Sequence, residues 1–219
     1  MVKTENISAI ILAAGFSKRM GQFKPLMELG RQTIVAWVVS LYRAVGLKDI
    51  EVVVGFRGEE IKAALTSLGI RITVNRDFDK GMYSSIVAGV RDLPDSCRAF
   101  FVHPVDIPLV RISTVKALMR TYHERSTKIS YPWFNGRRGH PPLIDADLSK
   151  EIISWHQDGG LRTFLETRED QAINVPVSDE GVLLDLDIPE DYRLLKARLR
   201  EEVGGVPEAH GGENRRLIR

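Results

Sequence analysis

The chain has 219 residues, 43% of them hydrophobic and 27% charged, which suits a soluble globular protein with a substantial core and excludes wholesale disorder. Its 31 basic and 29 acidic side chains leave a formal net charge of +2, so no global electrostatic case exists for nucleic acid or an anionic membrane, and any anion site must be local. The one cysteine, Cys97, excludes an intrachain disulfide or a multi-cysteine metal cluster and suits a reducing compartment.

The N-terminal MVKTENIS has no charged-then-apolar signal pattern, and no apolar run approaches the roughly 18 residues of a membrane span, so a soluble, cytoplasmic protein is expected. The first predicted strand, residues 7–13, is a continuous apolar run, as in a parallel strand buried on both faces. It delivers IILAAGFSKRMGQFK, residues 10–24, where the apolar run stops and small, basic and glycine residues follow. Backbone N–H groups near Ala14 to Ser17 can face an anion there, and Lys18, Arg19 and Lys24 add charge that an apolar core would reject. Five residues separate Gly15 from Gly21 and Pro25 follows Lys24, so this is neither a Walker loop nor GxGxxG. Taken alone, a tight βα turn with a solvated basic rim remains the lesser alternative description.

A helix follows over residues 33–45, with Ile34, Val38, Leu41 and Val45 on one face and Gly46 as its stop. Strands are predicted at 50–54 and 70–74 around a helix at 58–68, and Asn75 closes the third strand. NRDFDKGMYSSIVAGV then turns at Gly81 into a helix over 82–93. A fourth strand, 98–103, ends in HPVDIPL, and Ser113 is placed to cap a helix over 114–124. After a short strand at 128–131, FNGRRGHPPLI reads as a loop or hairpin, with short helices at 148–155 and 161–167. Strand-like runs at 172–177 and 182–186 precede a helix over 190–202, and 204–219 has the composition of a disordered tail. Alternating strands and helices predict one α/β domain over 1–203, doubly wound and mainly parallel, Rossmann-like, with a small β-containing acceptor region at about 131–187.

In such a sheet, ligands sit outside the carboxyl ends of the strands. Those ends carry the loop at 10–24, the turn holding Asn75 and Gly81 to Ser85, Asp106, and the pair Asp185 and Asp187. Two carboxylates in a crevice beside a basic loop suit Mg²⁺ bridging phosphates, since magnesium takes oxygen ligands and borrows some from its substrate. Singly, Asp106 is as well described as a turn residue and Asp187 as a helix cap. His103 is expected to be a locally bonded strand-end residue, and Trp37 and Trp155 packing residues, whereas Trp133 is placed to reach a substrate. Arg137 and Arg138 fit a solvated loop and an anion contact equally.

LAAGFSKRMGQFKPL, NRDFDKGMYSSIVAGV, HPVDIPLV, GRRGHPPLI, DGGLR and LDLDIPED follow one another in an order that resembles the molybdenum cofactor cytidylyltransferases, within the wider nucleotidyltransferase superfamily. The resemblance runs from about residue 7 to 195. It implies transfer of CMP from CTP to the terminal phosphate of molybdopterin, with Mg²⁺ as cofactor and a molybdenum hydroxylase as a further partner. By motif, Gly15 and its neighbours cradle the triphosphate, Arg19 and Lys24 neutralise it, and Asp106 and Asp187 hold the metal, with Lys24, Arg19 and Asp106 as the catalytic set. Ala13 and Ala14 fall at the base and ribose, and Leu12, Ser17, Asn75, Gly81, Ser84 and Ser85 complete the nucleotide pocket. His140 and Arg162 face the acceptor. The chain departs from the family at Gln157 and Ile188, both toward the acceptor half.

Overall fold

The computed structural model describes residues 4–125 and 127–204, with side chains described to residue 199. Residues 205–219 of the expected disordered tail lie outside the described residues. Strand β1 (Ile7–Ala13) is buried at every position. Its side chains alternate between two cores: Ile7, Ala9, Ile11 and Ala13 enter one, and Ile10 and Leu12 the other. The continuous apolar run is explained by that two-sided burial.

After the basic loop comes a small hairpin, β2 (Glu28–Leu29) and β3 (Gln32–Thr33), which the sequence reading does not anticipate. It leads into α1 (Ile34–Val45), where Thr33 accepts from the Ala36 N–H and Gly46, at φ 95°, ends the helix. The chain continues through β4 (Asp49–Val54), α2 (Gly58–Leu65), β5 (Arg71–Val74), α3 (Met82–Arg91), β6 (Ala99–Pro104) and α4 (Ile112–Arg125). Next come β7 (Ile129–Phe134), β8 (Arg137–Arg138), β9 (Leu143–Asp145), α5 (Ser149–Ser154), α6 (Gly160–Glu166), β10 (Ala172–Pro176) and α7 (Pro189–Gly204).

The strands form one sheet in the order β10-β7-β9-β6-β1-β4-β5, with β8 paired to β7. β1 pairs in parallel with β4 and β6, whereas β9 is antiparallel to both β6 and β7. Helices α1, α2, α4 and α7 cover one face through Val38, Ile61, Leu118 and Leu195. Helices α3, α5 and α6 cover the other through Ile86, Ile152 and Phe164. The doubly wound, mainly parallel α/β architecture is therefore as expected.

Two local expectations are corrected. The run at 182–186 is not a strand: Asp179 accepts from the Gly181 N–H and starts a 3-10 turn over Glu180–Leu183, after which the chain is extended but unladdered. Ser113 does not cap α4, because the helix already begins at Ile112. The cap comes from a distant segment: the buried Asp179 carboxylate accepts from the Arg111 N–H at 2.8 Å and from the Thr114 hydroxyl at 2.6 Å.

One buried charge gives the fold a pH dependence. Glu51, on strand β4 beside the edge strand β5, is fully buried, with Oε2 accepting from Arg71 at 3.2 Å and Oε1 unpartnered. Burial pushes its carboxyl from 4.5 up to about 7; Thr73 and Arg71 oppose that rise, and Asp92 and Asp49 add to it. Because the folded state holds this proton more tightly than the unfolded chain, the contribution is fully present below about pH 4.5 and is lost as pH rises through about 7. Glu51→Gln should therefore exceed the wild type in unfolding free energy at pH 8 by on the order of 2–3 kcal/mol and lose that advantage near pH 5. Urea unfolding at both pH values tests this, and a less stable Gln variant at pH 8 would refute it.

Candidate active site

A cleft of about 460 Å³ opens at the carboxyl ends of β1 and β6, beside the start of α3. The loop after β1 shapes one side. Ser17 takes the left-handed conformation, φ 56°, and its hydroxyl accepts from the Lys24 N–H at 3.1 Å, which folds the loop back on itself. A Cβ added at Gly15 or at Gly81 would meet no protein atom within 4 Å. Both glycines thus border open space, as a phosphate cradle requires.

Lys24 is buried, 8% exposed, at the floor of the cleft. Its ammonium donates to Asp187 Oδ1 at 2.9 Å and to Asp106 Oδ2 at 3.3 Å. Arg19, largely in solvent, pairs with the other oxygen of Asp187 at 2.8 Å. Three segments far apart in the chain meet here because the backbone holds them together. The Leu186 N–H donates to the Asp106 carbonyl at 2.8 Å, which lays the segment with Asp187 beside the end of β6. Asp187 is not the cap of α7; Asp191 accepts from the N–H groups of both Asp187 and Ile188, leaving the Asp187 carboxylate to face the cations. The hydrogen bond and charge of Lys24 hold the Asp187 carboxyl below its ordinary range, with Arg19 adding to the effect. The neighbouring Asp185 is raised, first by desolvation and then by Asp106 and Asp187.

His103 is fully buried directly before this turn. Its Nε2 lies 2.9 Å from the Ile107 carbonyl, and its Nδ1 2.8 Å from the Tyr42 hydroxyl. A carbonyl only accepts, so Nε2 carries the proton and Nδ1 accepts from Tyr42. Burial lowers the imidazole to about 4, keeping it neutral and fixing the turn that presents Asp106.

Of the residues expected to meet nucleotide or metal, Leu12, Ala13, Ala14, Gly15, Ser17, Arg19, Lys24, Gly81, Ser85, Asp106 and Asp187 line the cleft. Asn75 and Ser84 do not. The Asn75 amide donates to the hydroxyls of Ser84 and Ser85 at 2.8 and 2.9 Å while its carbonyl accepts from the Asp77 N–H, so it braces the turn from behind. His140 stands just outside the cleft, with its N–H held by the Val182 carbonyl at 2.9 Å. Arg162 is not brought to the cleft; its guanidinium is 88% exposed on α6 and paired with Glu166. Arg138 spends its guanidinium on Asn174 and Glu169 over the Tyr131 ring. Phe16 and Phe78, which the sequence reading does not single out, and Met82, within the turn it does, also line the cleft. For Phe16, the placement between Gly15 and Ser17 is the signal that pointed there.

Among the described residues no group of three or more His, Cys, Asp or Glu side chains has metal-binding geometry. The hard-oxygen donors Asp106 and Asp187, converging on one ammonium, fit a divalent ion that takes its remaining ligands from water and phosphate, as Mg²⁺ does. No helix among the described residues is long and apolar enough to cross a membrane.

A model of the MobA-like NTP transferase domain matches residues 9–173. The chain is similar to nicotine blue oxidoreductase of Paenarthrobacter nicotinovorans, with 30% identity over 86% of this chain and 96% of the relative. It is similar to the molybdenum cofactor cytidylyltransferase of Escherichia coli (strain K12), with 27% identity over 89% and 98% of the two chains. A solved nucleotidyl transferase from Methanothermobacter thermautotroptrophicus shares the fold, with a TM-score of 0.78 at 24% identity over 90% and 98% of the two chains.

Proposed function

The chain belongs to the MobA-like NTP transferase domain family and is a nucleotidyltransferase, and we propose that it moves CMP from CTP to the terminal phosphate of molybdopterin in the cytoplasm, with Mg²⁺, through a single unit spanning residues 1–203. The observation that carries the proposal is the Lys24 ammonium between Asp106 and Asp187 at the foot of an open glycine cradle. A phosphate monoester is already anionic near neutral pH, so its oxygen attacks the α-phosphorus without a protein nucleophile. One O–P bond forms, the bond from the α-phosphorus to the bridging oxygen breaks, and pyrophosphate leaves with the electron pair. Lys24 and Arg19 stabilise the charge that grows on that leaving group. Mg²⁺, when held by Asp106 and Asp187, supplies further charge neutralisation. His140, beside Asp106, marks the side from which the acceptor enters, and a molybdenum hydroxylase is the consumer this reading implies.

The test is pyrophosphate release from CTP, GTP, ATP and UTP with molybdopterin, with and without Mg²⁺. CTP with metal should be fastest. Release only with a sugar or polyol phosphate would move the acceptor assignment, and tight binding without any release would replace catalysis by a carrier role. The likeness to nicotine blue oxidoreductase supports a second reading, and redox turnover of nicotine blue with a supplied electron donor or acceptor, without pyrophosphate release, would favour it.

A further inference from the structure

We propose that Phe16, Phe78 and Met82 form an apolar platform on which the base of the nucleoside triphosphate lies, an inference that rests on reading the cleft as a nucleotide site. Four phenylalanines run in sequence of contact from the core to the cleft. Phe23, 8% exposed, meets Phe56 edge-on with centroids 5.7 Å apart; Phe56 and Phe16 are 5.2 Å apart, and Phe16 and Phe78 again 5.2 Å. The inner rings thus hold the outer ones in place. Phe16 and Met82 are 38% and 57% exposed, and both line the cleft with Phe78. Large apolar side chains gathered at a concave surface mark a ligand face.

The backbone is shaped to admit this wall. A Cβ at Gly55 would fall 2.5 Å from the Phe78 Cβ and 2.6 Å from its ring, so Phe78 lies across the end of β4 only because that position is glycine. The polarity of the cleft then sets the orientation of the ligand. Lys24, Asp106 and Asp187 occupy the β6 side, so a triphosphate anchored by them and by the Gly15 loop has the β5 side for its base. The exposed Lys18 ammonium lies 4.8 Å from the Phe16 centroid. Such a solvated cation contact is weak, and an arriving triphosphate draws Lys18 to itself while the base takes the ring. Every base has a π-face, so the platform adds affinity for all of them and leaves the choice of base to polar groups such as Asp79 and Ser85.

Calorimetric titration of wild type, Phe16→Ala, Met82→Ala and Phe16→Trp with CTP, GTP and inorganic tripolyphosphate tests the assignment. Phe16→Ala should weaken both nucleotides about 10-fold, Met82→Ala less, and Phe16→Trp should retain affinity, while tripolyphosphate binding stays unchanged throughout. Unaltered nucleotide affinity in Phe16→Ala, or an equal loss for tripolyphosphate, would overturn it. A wild type that binds neither nucleotide would instead remove the nucleotide reading on which the platform rests.

Discussion

Lys24→Met is expected to lower turnover by about 10²- to 10³-fold with CTP, acceptor and metal saturating, the range found when one preorganised electrostatic stabiliser is removed. Methionine matches the length and apolar stem of lysine, so the loop bonds from Ser17 to the Lys24 N–H and from the Met27 N–H to the Lys24 carbonyl remain. The ammonium alone is lost. A second readout has the opposite sign. The ammonium neutralises the same two carboxylates that a divalent ion needs, so Lys24→Met without nucleotide should bind Mn²⁺ more tightly than wild type, even as it turns over more slowly. Near-wild-type turnover would dismiss the role given to Lys24. Slower turnover with no change in metal affinity would separate its contact to phosphate from its contact to Asp106 and Asp187.

Asp187→Asn carries the second large effect, a fall in turnover of about 10²-fold or more together with a higher metal requirement. Asparagine keeps the size of the side chain and one carbonyl oxygen, so the Asp191 bonds to the backbone at Asp187 and Ile188 are untouched. The negative charge that engages both Lys24 and Arg19 disappears. Both charged side chains are then free of a counter-ion on that side, and nucleotide affinity without metal should rise as metal-supported turnover drops. If both affinities and turnover follow wild type, Asp187 is only a turn residue.

The parts of this site that were legible in the sequence are those written locally. The unbroken apolar run of β1 announced its two-sided burial, Thr33 and Gly46 bracketed α1, and the basic loop after β1 lay where a parallel sheet puts ligands. What local pattern misses is decided by distant partners. The alternation Val182-Leu183-Leu184-Asp185-Leu186 reads as a strand, yet Asp179 turns its first part and a single bond to Asp106 orders the rest. Asn75 reads as a pocket residue because it closes a strand, but both ends of its amide are consumed by Ser84, Ser85 and Asp77. Arg162 sits in the right motif and on the outer side of its helix, a choice fixed by how α6 packs Phe164 and Leu165 inward. β9 is three residues after two prolines, too short for periodicity, and its reversed place between β6 and β7 depends on pairing across the sheet.

That reversed strand, with β7 before it, ties residues 135–142 to the sheet at both ends. From the end of β7 the chain passes through residues 135–142 at the carboxyl edge and returns down β9, which is held by three register pairs to β6 and two to β7. Residues 135–142 form a cassette between them, itself anchored by β8 on β7 and by the His140 N–H on the Val182 carbonyl. Its length and composition can be altered while β1, β4 and β5 keep every hydrogen bond among themselves. A change of donor, by contrast, has to be made at the buried end of β1, where each side chain already supports one of two cores. Under the proposed function, a change of acceptor is one that β1, β4 and β5 can survive unaltered, whereas a change of donor is not.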